Sequence, residues 1–139
     1  METNKPQSSP PHFHPTFCES IRAESSGQFT YVGVFQSEIA VPAFPFCFPQ
    51  FSAAISLIGT KAQLKNIEIT LMAGDVVQSR IAVADDLANA REDCQPIYLN
   101  LHLIGSSLWI NAPCEITATL SIDGMVHSSP NVIRLIQSK

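Results

Sequence analysis

The chain has 139 residues, enough for one domain with a core of its own. Apolar residues make up 45% of it and charged residues only 14%, against roughly 25% charged in an ordinary globular domain. Basic residues number 8 and acidic ones 12, giving a net charge of −4, and the basic ones are scattered. Phosphate backbones and anionic lipid surfaces demand concentrated positive charge, so nucleic acid and membranes are excluded as partners.

A small domain has much surface to cover. Low charge therefore implies that part of the apolar surface is covered by a protein partner or a second copy, rather than every exposed position being Ser, Thr, Asn or Gln. Residues 1–14, METNKPQSSPPHFH, are rich in Pro, Ser, Gln and His and read as a flexible arm preceding a domain over 15–139. This start has neither the apolar stretch nor the cleavage pattern of a signal peptide, so the expected location is cytoplasmic. Cys18, Cys47, Cys94 and Cys114 lie far apart without a C-x-x-C pair and are expected to stay reduced there. His12, His14 and Cys18 form H-x-H-x-x-x-C, a spacing that could supply three metal ligands but matches no standard finger.

Phe17–Val41 is the most patterned segment. Phe29, Tyr31, Gly33 and Phe35 alternate with Thr30, Val32, Val34 and Gln36, a β-branched and aromatic pattern that suits a half-buried strand. A preceding arm over Thr16–Glu24 and a Ser25-Ser26-Gly27-Gln28 turn complete a hairpin. Gly33, flanked on its own face by two aromatics, needs cover from a neighbouring side chain or backbone.

The residues Phe17, Cys18, Glu19, Arg22, Glu24, Gly27, Gly33, Val34 and Phe35 carry a resemblance. The segment resembles the opening of a family of small bacterial proteins, a domain of unknown function, with a Phe-Cys-Asp strand, an Arg-x-Glu approach to the turn and a Gly-Val-Tyr return. Glu19 and Phe35 stand where that pattern has Asp and Tyr. The resemblance implies an antiparallel β fold and no activity.

Downstream, Pro42-Ala43-Phe44-Pro45-Phe46-Cys47-Phe48-Pro49 cannot be a central strand, because proline removes ladder donors. Phe51, Ala53, Ile55 and Leu57 then share one face of a strand. Ile67–Val83 reads as a second hairpin around Ala73-Gly74-Asp75. A three-residue loop is expected because it sets Ile67 against Ile81 and Glu68 against Arg80, whereas a two-residue loop sets Ile69 against Arg80. Residues 84–96, ADDLANAREDCQP, form the polar interruption, and Asp85, Asp86, Glu92 and Asp93 offer oxygen ligands for a cation. Ile97, Leu99, Leu101 and Leu103 alternate with Tyr98, Asn100 and His102. Cys114–Ile122 alternates almost without fault, and Asp123-Gly124 is the strongest two-residue hairpin signal, setting His127 opposite Leu120. The return strand breaks at Pro130 and resumes at Val132–Ile136.

The two long uncharged runs are interrupted by proline and polar residues and read as strands with loops, not membrane spans. The architecture expected is all-β: a single-domain, two-layer antiparallel β-sandwich of about eight or nine short strands, with a β-barrel as the alternative. No nucleophile elbow and no Gly-rich phosphate cradle is present, so neither an enzyme nor a cofactor is expected. Core packing is the expectation for the single tryptophan, Trp109, with an interface anchor as the sharper alternative. Phe44, Phe46 and Phe48 carry both readings equally, so the possible interface is Phe44, Phe46, Phe48 and Trp109. The function these features favour is a non-catalytic binding or assembly module that self-associates or holds a protein partner. The alternatives are a structural subunit of a larger assembly, such as a virus particle or appendage, and a metal site in the histidine arm or acidic loop.

Overall fold

The structure is a computed structural model that describes residues 11–60, 63–83, 97–104, 107–129 and 131–139. The chain's period-2 patterning gives strands throughout, and the described residues contain twelve strands and no helix. They are β1 (His12–Ala23), β2 (Phe29–Val34), β3 (Glu38–Val41), β4 (Phe46–Phe48), β5 (Ser52–Gly59), β6 (Ile67–Ala73), β7 (Val76–Ala82), β8 (Ile97–Ile104), β9 (Leu108–Ile110), β10 (Cys114–Ile122), β11 (Met125–Ser128) and β12 (Ile133–Gln137). One sheet runs β2-β1-β5-β8 and the other β3-β12-β10-β6-β7, with β11 alongside β10. Neither closes on itself, so the sandwich holds and the barrel alternative falls. The strands outnumber the expected eight or nine, in part because Glu38–Val41 and Phe46–Phe48 pair as short strands of 4 and 3 residues. All pairings are antiparallel except β3 on β12. No helix is long and apolar enough to cross a membrane among the described residues.

The alternating positions meet between the sheets as expected. Ala53, Ile55 and Leu57 of β5 are buried, as are Ile69 and Leu71 of β6 and Ile116, Ala118 and Leu120 of β10. Fully burying an aliphatic side chain of this size contributes about 1.5–3 kcal/mol, so this seam dominates the stabilisation. At the far side of the seam a polar clip joins the layers. The Ser129 hydroxyl donates to Asn131, and the Asn131 side-chain amide donates to the carbonyl oxygen of Pro15 in the opposite sheet.

The Asp123-Gly124 turn is as expected: Asp123 (φ 48°) and Gly124 (φ 84°) close Ile122 against Met125, and Leu120 faces His127. The second hairpin departs from its expected loop. Gly74-Asp75 makes a two-residue turn closing Ala73 against Val76, and an irregularity between Leu71 and Met72 absorbs one extra residue at Gln78. That bulge sets Ile69, not the expected Ile67, opposite Ile81, and puts Ala82 opposite Glu68 where Arg80 was expected. Arg80 then lies diagonal to Glu68, with Nε 3.2 Å from Oε1.

The first hairpin turns at Ser25-Ser26-Gly27. Gly27 N–H donates to Glu24 O (3.0 Å), Glu24 N–H donates to Gln28 O (2.8 Å), and Gly27 has φ +88°. This is a three-residue loop with glycine in the left-handed position. β1 begins at His12, earlier than expected, so His12, Phe13 and His14 pair with Ile58, Leu57 and Ser56 in the sheet and do not belong to the arm placed over 1–14.

Gly33 sets the hairpin's shape. Its φ is +67°, and a Cβ there would lie 2.8 Å from the Glu19 carboxyl carbon, so the Glu19 side chain supplies the cover this glycine needs. A Gly33→Ala substitution forces a side chain into a left-handed conformation and displaces Glu19. Urea unfolding of that variant should show a loss of about 1–3 kcal/mol, and a change under about 0.5 kcal/mol would refute this role for Gly33.

Candidate interaction surface

The residues placed in the possible interface come together, but not as one surface. β4 pairs with β9 in a two-stranded ribbon, with Phe46 opposite Ile110, Cys47 opposite Trp109 and Phe48 opposite Leu108. Alternation on so short a ribbon sends Phe46, Phe48, Leu108 and Ile110 one way and Cys47 and Trp109 the other. The inward side joins a run of phenylalanines. Phe46 meets Phe48 (4.9 Å between centroids), and Phe48 meets Phe35 (5.4 Å) and Phe51 (5.6 Å). Phe51 stacks on Phe35 (5.2 Å) and reaches Phe17 at 5.8 Å. Phe48 is buried, whereas Phe44 and Phe46 are half-buried at the rim of the core.

Trp109 departs from its core expectation. It is 61% exposed, although Leu108 and Ile110 on either side are buried. A strand of three residues cannot bury adjacent positions on one side, and the core took Leu108 and Ile110. The indole lines an open groove of about 480 Å³ with Gly74, Asp75, Val76, Gln78 and Pro113.

A second apolar surface went unseen in the sequence. All six residues of β2 are exposed, including Phe29, Tyr31, Val32 and Val34. β2 pairs with β1 on one side and has no partner strand on the other among the described residues. Phe29 and Tyr31 are half-sheltered by His102 of β8. The Phe29 ring lies edge-on to His102 at 4.4 Å, and the Tyr31 ring at 5.8 Å, with Tyr31 Oη 3.3 Å from His102 Nε2. His102 sits opposite Ala54, which sits opposite Thr16, whereas Phe29 sits opposite Ala23. These contacts therefore require the hairpin to bend back over the outer face of its own sheet. The bend explains why Cys18, Ser52 and Ala54 are buried although their parity points them outward. It also explains the hydrogen bond from the Ser52 hydroxyl to Glu19 O (3.3 Å).

The chemistry of the remaining candidates is plain. Burial pushes the Cys18 thiol up, and burial together with Glu115 pushes the Cys114 thiol up, which is the opposite of what activates a cysteine nucleophile. Cys18, Cys47 and Cys114 are free thiols. His12 and His14 project from the exposed face of β1 while Cys18 is buried, and no group of three or more His, Cys, Asp or Glu is gathered for a metal among the described residues. The acidic positions Asp85, Asp86, Glu92 and Asp93 lie outside the described residues, as does Cys94.

Fold and surface together define an all-β sandwich with open, apolar strand edges. The family of unknown function DUF6941 matches residues 15–132, and the chain belongs to it. That agrees with the family resemblance of the N-terminal hairpin. No curated protein and no solved structure matches the chain.

Burial beneath Phe29 and Tyr31 lowers the pKa of His102 from its ordinary value of 6.5. A depressed histidine favours the neutral ring in the folded state, so its contribution to stability is full above about pH 6.5 and fades as pH falls through the folded value. Urea midpoints measured over about pH 5–7 should fall toward acid, and His102→Phe, which keeps a ring against Phe29 but takes no proton, should show a shallower fall. An identical slope in both proteins would remove His102 from the pH response.

Proposed function

We propose that the protein is a non-catalytic binding or assembly module that works through protein–protein contact and self-associates. The observation that carries this is the uncharged edge strand β2, Phe29-Thr30-Tyr31-Val32-Gly33-Val34, exposed along its whole length. Natural sheets protect such edges with lysine, proline or a covering segment, because unpaired N–H and C=O groups and apolar side chains otherwise recruit another chain. Two other edges are guarded by charge, since β7 carries Arg80 paired with Glu68 and β3 is 4 residues long and begins with Glu38. β8, the opposite edge of the same sheet as β2, also lacks charge but is half-buried at alternate positions and holds His102 against Phe29 and Tyr31. A low overall charge of 14% supports the same reading. The exposed Trp109 offers a second apolar contact, of the residue type enriched at interface hot spots.

The compartment that goes with this function is the cytoplasm, where thiols such as Cys18, Cys47 and Cys114 stay reduced. A wider structural role as one subunit of a larger particle needs the same edges and is a variant of this proposal.

Sedimentation velocity over about a hundredfold range of protein concentration tests it. The expected result is a concentration-dependent rise from monomer to dimer or higher species. A strict monomer over that range, combined with no protein retained on the immobilised chain, would end the proposal. The single tryptophan gives an independent reading. In the dilute monomer Trp109 should emit as a solvent-exposed indole and be quenched freely by iodide, and any assembly that covers the Trp109 groove should shift its emission to the blue and protect it.

A further inference from the structure

We infer that β2 is the self-association edge and that it pairs with β2 of a second copy in a two-fold antiparallel arrangement centred on Tyr31, joining two four-stranded sheets into one. This rests on the assembly reading above and gives it a seam and a register.

The hydrogen-bond phase of the hairpin selects the register. Glu24 N–H donates to Gln28 O, and the strands keep one register from there through Arg22 opposite Thr30 to Ser20 opposite Val32. Backbone groups in an antiparallel pair turn alternately toward and away from the partner strand. Gln28, Thr30 and Val32 therefore turn theirs toward β1, and Phe29 and Tyr31 turn theirs to the open side. A symmetric antiparallel seam must place some residue opposite its own copy, since both strands present the same face. Tyr31 is the central residue with both groups free, so its N–H and C=O exchange two hydrogen bonds with Tyr31 of the second copy. Thr30 then falls opposite Val32, and Phe29 opposite Gly33.

Charge does not oppose pairing of this strand with its own copy. None of the opposed positions is ionised, so a second copy meets no unpaired charge and no like charge across the seam. β7 could not pair with itself so freely, because Arg80 of each copy would be drawn toward the other while already engaged by Glu68. The left-handed Gly33 ends the flat part of the edge and limits the seam to a short run centred on Phe29–Val32, which stops growth into a continuous ribbon. Among the described residues β2 pairs on one side only, so a two-fold β2 seam uses the β2 edge of both copies; the uncharged β8 lies at the far side of the sheet and takes no part in it.

Single-cysteine cross-linking of the full chain tests the register. In a hydrogen-bonded antiparallel pair the opposed Cα atoms lie about 5.5 Å apart, within disulfide reach, whereas residues offset by two positions lie about 7–8 Å apart and outside it. Under mild oxidation Tyr31→Cys should form covalent dimer at least about tenfold faster than Thr30→Cys or Val32→Cys, with the parent chain as the background for native thiols. A Val32→Lys variant, whose change sits on an exposed side chain, should stay monomeric and folded at concentrations where the parent is dimeric. Equal cross-linking at the three positions, or undiminished dimer in Val32→Lys, would overturn the β2 seam while leaving self-association standing. Blue-shifted, quencher-protected Trp109 in that surviving dimer would mark the Trp109 groove as the seam instead. A parent chain that never dimerises would overturn the seam and the assembly reading together.

Discussion

Everything in this molecule hangs on one apolar seam, where Ala53, Ile55 and Leu57 of the β5 strand meet Ile69, Leu71, Ile116, Ala118 and Leu120 of β6 and β10. These are the central strands of the two sheets, paired on both sides, so their backbone groups are satisfied and their side chains close-packed. The lateral strands contribute progressively less. Ile97 is buried at the start of β8, but Leu99, Leu101 and Leu103 on the same face are only half-buried. Stability therefore falls from the centre outward, and the strands left at the margin are those whose apolar residues the seam cannot use.

That gradient decides which strands keep their apolar side chains exposed. β2 lies two strands from the seam and gives it no buried side chain. Its position is fixed instead by the Glu19–Gly33 contact, the Gly27 turn and the two rings resting on His102. An edge held this way keeps its shape without being consumed by the core. The same bend that shapes the edge also covers Cys18, Ser52 and Ala54, so the hairpin has an internal role as well as an external one. Substitutions at Phe29 or Tyr31 must be read with both roles in mind, whereas Thr30 and Val32 alternate away from His102, and the Thr30 hydroxyl donates to Glu24 Oε1 (2.9 Å).

Much of the sandwich was legible because alternation is a direct consequence of strand geometry. Cys114–Ile122 could hardly be anything but a half-buried strand, and Asp-Gly after it could hardly fail to turn. Legibility ended wherever a local signal depended on a choice made elsewhere. The register of β6 against β7 looked like a matter of loop length, with Ile67 opposite Ile81, yet a short turn and a bulge at Gln78 set Ile69 there instead and still matched an apolar pair. Trp109 was expected inside because it is large and apolar, but a three-residue strand has one inward side at its centre or two at its ends, and Leu108 and Ile110 took the ends. His102 was correctly placed on the outer side of its strand. What no periodicity could reveal is that a hairpin 71 residues earlier in the chain bends over to meet it. Gly33 was the available clue: a glycine amid aromatics signalled a special backbone there without saying which way the strand would turn.

The low charge of the chain takes its meaning from where the few charges fall. Arg80 and Glu68 pair across β6 and β7, and Glu38 and Glu115 flank Arg134 on β3, β10 and β12, so the described charges of the second sheet sit on or beside its strands. The first sheet differs. Its β2, β5 and β8 strands contain no Asp, Glu, Lys or Arg at all, and β1 carries only Glu19 and Arg22, both near the bend. Composition at the level of the whole chain hinted at a covered surface; resolved strand by strand, the deficit belongs to one layer. An edge strand without charge has no electrostatic means of refusing a neighbour, and both edges of this sheet, β2 and β8, are of that kind. The absence of any ionised residue in β2, on a strand that contributes nothing to the core, is the feature on which the proposed β2 seam rests.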